Sequence, residues 1–105
     1  MLMTQEHYAP LQAEQRVLTV DVRSWISWQE GRIPGAMHVP LTQVEERVDE
    51  IRKAAKGRMV VTYCSCPTEG SSLRSAETLM AQGVPARALL GGYPKWVERG
   101  GRVER

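Results

Sequence analysis

The chain has 105 residues, 42% of them hydrophobic and 25% charged, with a formal net charge of +2. That is enough chain for a hydrophobic core without disulfide support, and the balance argues against disorder. The basic residues are spread along the chain, which disfavours nucleic acid as a partner, and no apolar run approaches the length of a membrane span.

The Met1-Leu2-Met3-Thr4 start lacks the charged region of a secretory signal. Two cysteines separated by one residue do not make a disulfide framework. One domain over residues 1–105 and a reducing, cytoplasmic location are therefore expected. Phenylalanine is absent, so three tryptophans and five methionines must supply much of the bulky core.

Residues 1–15 carry weak signals. Pro10 to Gln15 reads as a short helix or a simple lead-in, and His7 and Tyr8 as a cover for the core edge or a mobile terminus. Val17 to Val22 is apolar nearly throughout, as expected of a strand covered on both faces. Ser24 is a candidate cap for a short helix that Gly31 stops. Arg32-Ile33-Pro34-Gly35 reads as a turn and Ala36 to Val39 as a short strand closed by Pro40. Leu41 to Lys56 reads as one helix. Thr42 and Glu45 are spaced as a capping box, Val44, Val48 and Ile51 form an apolar stripe, and Gly57 ends it. Ala86 to Leu90 reads as the last main strand, Gly91-Gly92 as a turn, and Tyr93 to Arg99 as a short helix carrying Trp96. The tail from Gly100 to Arg105 is polar and expected to fray.

Between these lies the most informative stretch. Met59 to Tyr63 is an apolar, β-branched run that reads as a buried strand. Small, polar and Pro/Gly residues follow, and helical spacing begins near Ser72 with Leu73, Ala76, Leu79 and Met80; Gly83 closes that helix. Both cysteines, Cys64 and Cys66, stand where the strand feeds the helix. Helix N-termini present unpaired N–H groups and a partial positive charge, which favour a thiolate. Strands alternating with helices over short connections predict an α/β fold with a mainly parallel sheet, five-stranded or nearly so, and helices on both faces. Ligands of such sheets bind at the carboxyl ends of the strands, where Cys64 falls.

Three separated motifs together resemble the rhodanese family. The first is Asp21-Val22-Arg23 followed by Gly31-Arg32-Ile33-Pro34-Gly35-Ala36-Met37-His38-Val39-Pro40. The second is Val60-Val61-Thr62-Tyr63-Cys64, and the third runs from Leu90-Gly91-Gly92-Tyr93-Pro94-Lys95-Trp96 to Gly100. The resemblance spans residues 17–100. It implies a rhodanese-like fold and sulfurtransferase chemistry through a cysteine persulfide; no cofactor is expected, and no metal, since beside the Cys-x-Cys pair only His7 and His38 remain as ligands. It also implies a small sulfur donor and a thiol or cyanide-like acceptor, an acceptor protein included; the charge distribution and hydropathy above point to neither nucleic acid nor membrane as partner. The loop departs from the common family pattern: Ser65, Pro67 and Glu69 stand where Arg, Gly and often a second Arg occur. Arg32 replaces a usual His, and Ser27 a frequent Glu.

Persulfide chemistry needs a lowered thiol pKa and a cradle of N–H groups, and a strand-to-helix loop offers both without an acid–base partner. The competing reading of a cysteine here is a small buried hydrophobe. Cys64 is favoured as nucleophile because it follows the strand directly. Cys66, six positions before Ser72, fits the family's loop length better and stands as the alternative or assisting thiol. Ser65, Cys66, Pro67, Thr68, Glu69, Gly70 and Ser71 form the expected cradle, in which Glu69 opposes a dianionic donor. A phosphatase loop would place an Arg at Gly70 or Ser72, counting from Cys64 or Cys66, and neither position holds one. Asp21 and Arg23 read as structural, Gly91 and Gly92 as permitting close backbone approach, and Trp96 as a core anchor. Trp25 and Trp28 read as covers for a sheet face or the site entrance. A non-catalytic interaction or regulatory module is the rival class.

Overall fold

The computed structural model describes residues 1–65 and 69–105. The elements are β1 (Leu2–Met3), α1 (Gln5–Ala13), β2 (Val17–Asp21), α2 (Trp25–Glu30), β3 (Met37–His38), α3 (Val48–Ala55), β4 (Met59–Tyr63), α4 (Gly70–Ala81), β5 (Ala86–Leu89) and α5 (Gly92–Glu98). The sheet order is β1-β5-β4-β2-β3, and every pairing is parallel. The sheet is thus wholly parallel, and β4 is its central strand. No helix among the described residues is long and apolar enough to cross a membrane.

The period of two along each strand divides the core. Leu18, Val20, Val60 and Ala86 face one layer, packed by Val48, Ile51 and Ala55 of α3 and by Ala76 and Leu79 of α4. Val17, Val61, Tyr63 and Leu89 face the other, packed by Tyr8 of α1 and Trp96 of α5. Helices covering both faces account for the continuous apolar runs of β2 and β4, since neither face meets water.

Four local expectations need correction. The weak N-terminus is ordered: Leu2–Met3 adds an edge strand beside β5, and α1 starts at Gln5, with the Thr4 side chain accepting from the His7 N–H. Tyr8 is fully buried, and its hydroxyl lies 2.6 Å from the Thr19 hydroxyl. The predicted 41–56 helix is instead a 3-10 turn over Leu41–Gln43 and a helix over Val48–Ala55, with no side-chain cap at Thr42. Val44, Val48 and Ile51 are nonetheless buried as the stripe requires. Arg47 sits at φ −109°, and its guanidinium bonds the Gln43 side chain, the His38 carbonyl and Glu50, which marks the break.

Helix α4 begins at Gly70, earlier than the apolar spacing indicates, so Gly70 and Ser71 belong to the helix and not to the loop. The tail is also held: Arg32 and Glu104 form an antiparallel bridge, and the Trp96 indole N–H donates to the Arg102 carbonyl at 2.7 Å. One of its anchors, Arg32, lies far back in the chain, which a local reading of polar residues misses.

Candidate active site at the carboxyl end of the sheet

Strand β4 delivers Cys64 to the carboxyl edge of the sheet centre. Cys64 is only 1% exposed and continues the alternation of β4, so its side chain joins Val20, Val22 and Ala76 in the first core layer. Its thiol donates to the Ser72 hydroxyl at 3.6 Å, and that hydroxyl donates to the Glu69 carbonyl at 3.1 Å. Ser72, in the first turn of α4, is itself held by the Thr62 hydroxyl, which donates to its carbonyl at 2.7 Å. The sulfur therefore rests against the N-terminal turn of a twelve-residue helix, where the dipole favours negative charge.

The turn between β5 and α5 clamps the other side of the Cys64 peptide. The Tyr93 N–H donates to the Cys64 carbonyl at 2.9 Å. A Cβ on Gly92 would overlap that same carbonyl oxygen, so the close approach needs glycine, and φ of +55° adds a second reason. The buried Gln5 side chain donates to the Leu90 carbonyl at 2.9 Å and the Gly92 carbonyl at 3.2 Å, which fixes the turn from the N-terminal helix.

Glu69 is the residue whose role differs most from expectation. It caps α4 in the left-handed region at φ 53°, and its Oε1 accepts from the Gly91 N–H at 2.7 Å. Its carboxylate thus ties the end of the cysteine loop to the glycine turn. Glu69→Ala is expected to destabilise by about 1–3 kcal/mol, because the Gly91 N–H loses its acceptor. Glu69→Gln, which keeps an acceptor oxygen, is expected to recover most of that loss. Urea unfolding of both variants checks this, and a negligible loss in Glu69→Ala would show that the contact contributes nothing.

A buried ion pair supports the floor. Asp21 and Arg23 are 0% and 6% exposed and meet at 2.7 Å. Asp21 also accepts from the Tyr63 hydroxyl at 2.6 Å and from the Arg23 backbone N–H at 2.9 Å. Arg23 donates to the Gly31 carbonyl at 2.6 Å, and its guanidinium lies 4.1 Å from the Tyr93 ring centre. Burial works against the Arg23 charge, but the hydrogen-bonded Asp21 carboxylate outweighs it and holds the pKa above its usual value. Burial raises the Tyr63 pKa, and the Asp21 anion raises it further, so the phenol stays a donor. One network thus joins the ends of β2 and β4 to the 31–33 turn, whose Ile33 N–H donates to the Tyr63 hydroxyl.

Beside the loop lies a cleft of about 370 Å³ bordered by Arg23, Ser27, Glu30, Ser65, Tyr93 and Arg105. A larger cavity of about 520 Å³ is bordered by Val17, Leu18, Arg58 and Arg102. It lies by the amino end of β2, and the Arg58 guanidinium there is bonded to the Ala54, Ala55 and Gln15 carbonyls. The smaller cleft is the one beside the cysteine loop.

Cys64, Ser65 and Glu69 lie between β4 and α4, and Gly70 and Ser71 lie inside α4. Cys66, Pro67 and Thr68 lie outside the described residues. Arg74 is exposed on α4. Trp25 and Trp28 gather around His38 at ring separations of 5.8 and 4.9 Å, and the His38 Nε2 bonds the Arg23 carbonyl at 2.9 Å. Gln5 gave no signal in the sequence, because its partners are backbone carbonyls at the far end of the chain.

Residues 3–99 match the sequence pattern of the Rhodanese-like domain family. A curated protein of Bacillus subtilis strain 168, the uncharacterized protein YqhL, is 34% identical over 86 residues, which is 81% of this chain; the chain spans 62% of that relative's length. A Rhodopseudomonas palustris structure, described as a protein of unknown function and possible tyrosine phosphatase, superposes with TM-score 0.84 at 25% identity, over 98% of this chain and 83% of that one. A thiosulfate sulfurtransferase of Pseudomonas aeruginosa shares the fold at TM-score 0.84 and 23% identity, over 99% of this chain and 20% of its own length. With nearly the whole length matched and the all-parallel sheet in place, the chain belongs to the Rhodanese-like domain family.

Proposed function

We propose that this chain is a sulfurtransferase that carries sulfur as a cysteine persulfide from a sulfane-sulfur donor to a thiol or cyanide-like acceptor. The observation that carries the reading is the thiol at the carboxyl end of the central strand, set against the first turn of α4. In the first step the cysteine thiolate attacks the donor's outer sulfur. A new S–S bond forms, the donor's own bond to that sulfur breaks, and the remainder leaves with the electron pair. In the second step the acceptor attacks the terminal sulfur, and the cysteine departs as thiolate. The first turn of α4 lies beside the thiol, where helix N–H groups can receive a sulfur that becomes anionic during transfer. A phosphatase reading is weaker, since no Arg stands at Gly70 or Ser72 to clamp an oxyanion.

Cys64 is the first assignment for the carrier, by its place at the end of β4. Its burial favours a second assignment, in which Cys64 packs the floor and Cys66 carries the sulfur. Thiocyanate formation from a sulfane donor and cyanide tests both. Wild type is expected to turn over, and the double variant Cys64→Ser/Cys66→Ser to be inactive. Cys64→Ser is expected to abolish turnover, with Cys66→Ser altering only later steps. Activity surviving in Cys64→Ser and lost in Cys66→Ser would move the nucleophile to Cys66. No turnover with any donor would favour the interaction-module reading.

A further inference from the structure

The cysteine loop has no cation from Cys64 to Leu73, yet the cleft beside it contains two. One is Arg23, whose Nε and Nη2 bond Asp21 and Gly31 and whose Nη1 makes no hydrogen bond among the described residues. The other is Arg105, which lies beyond the residues that match the family and has no ion-pair partner among the described residues.

Arg105 reaches the cleft because the tail is anchored. The Arg32 N–H donates to the Glu104 carbonyl at 2.9 Å, and the Glu104 N–H donates back at 2.8 Å. The Arg32 and Glu104 side chains meet at 3.3 Å, and the Arg102 carbonyl is held by Trp96. Gly31 fits beneath Val103: a Cβ there would lie 3.2 Å from Val103 and 2.7 Å from the Tyr93 hydroxyl. Ser65, adjacent to Cys64, borders the same space. Glu30 is the carboxylate on its rim and is paired with neither arginine.

We infer that Arg105 and the edge of Arg23 form an anion subsite that holds the negatively charged half of the sulfur donor. This rests on the sulfurtransferase reading and deepens it. The cationic role that family members place within the loop passes here to the tail. The donor class is a small sulfane-sulfur anion of thiosulfate type, its oxyanion held by Arg105 in the cleft that Ser65, the neighbour of Cys64, borders.

Two measurements test the inference. Sulfate, an inert dianion, is titrated into the protein while the amide signals of Ser65, Gly31 and Tyr93 are followed by NMR. Saturable shifts are expected in wild type. Arg105→Gln should weaken binding about fivefold, and Arg105→Lys less, with the difference shrinking at high salt. In sulfur loading, Arg105→Gln should raise KM for thiosulfate about fivefold at unchanged kcat, and leave a neutral organic polysulfide donor unaffected. Unchanged sulfate affinity in Arg105→Gln, or equal losses for thiosulfate and the neutral donor, would overturn the subsite. If sulfate binds at Arg105 but no donor loads sulfur, the subsite stands and the sulfurtransferase reading falls. If sulfur loads and Arg105→Gln changes nothing, the reverse holds.

Discussion

Asp21→Ala is expected to lower the free energy of unfolding by about 3–5 kcal/mol, because it strips the counter-ion from a buried arginine. Only the edge of Arg23 at the cleft meets solvent, its side chain being 6% exposed, and the rest is packed against the Gly31 carbonyl and the Tyr93 ring. The Tyr63 hydroxyl and the Arg23 backbone N–H lose their acceptor at the same time. Domains of this size are stable by about 5–15 kcal/mol, so the variant should be marginal. Urea denaturation gives the number directly. A loss below about 1 kcal/mol, typical of an exposed pair, would show that the network is not the floor described above. Double replacement of Asp21 and Arg23 by apolar residues should recover part of the loss, since no charge is then left buried alone.

Gly92→Ala is expected to be the most damaging single-methyl change near the loop. The added carbon would overlap the Cys64 carbonyl, a backbone atom that also accepts from the Tyr93 N–H. Relief requires moving either the cysteine peptide or the start of α5. Overpacking of this kind costs about 1–3 kcal/mol, and the left-handed backbone adds about 1–2 more. Sulfur loading should fall further than stability does, because the shift is applied to the peptide that carries the thiol. Gly91→Ala is the comparison: its new carbon would lie 2.6 Å from the Lys95 Cβ, which the helix backbone holds, and its φ is +80°, so it strains the same turn without touching the Cys64 peptide. Equal effects of the two substitutions on loading would remove the clamp from the account.

The fold was legible because its strands are buried on both faces. Val17 to Val22 and Met59 to Tyr63 read as strands from their apolar, β-branched runs, and both pair at the sheet centre. The close approach of Gly92 to Cys64 was legible for a different reason: paired glycines after a strand signal backbone contact. What local pattern did not carry was set by distant partners. Leu2–Met3 is too short to announce a strand and exists through its pairing with Ala88 and Leu89. Gln5 is buried through carbonyls of the glycine turn, and the tail is held in place by Arg32, far back in the chain from Glu104. Glu69 read as a charge facing substrate because its Gly91 partner lies 22 positions on. The 41–56 stretch misled in another way: apolar spacing reports burial, and a 3-10 turn followed by a helix satisfies it as well as one helix.

The most direct test is the mass of the protein after incubation with a sulfane-sulfur donor under non-reducing conditions. The addition of one sulfur atom is expected, removed by cyanide or by a thiol. Cleavage after arginine leaves both cysteines in the peptide 59–74, so fragmentation must place the sulfur. It is expected on Cys64, and the burial of that thiol makes Cys66 the position to compare. An unchanged mass with every donor tried, or an adduct that persists in the Cys64→Ser/Cys66→Ser variant, would contradict the persulfide account.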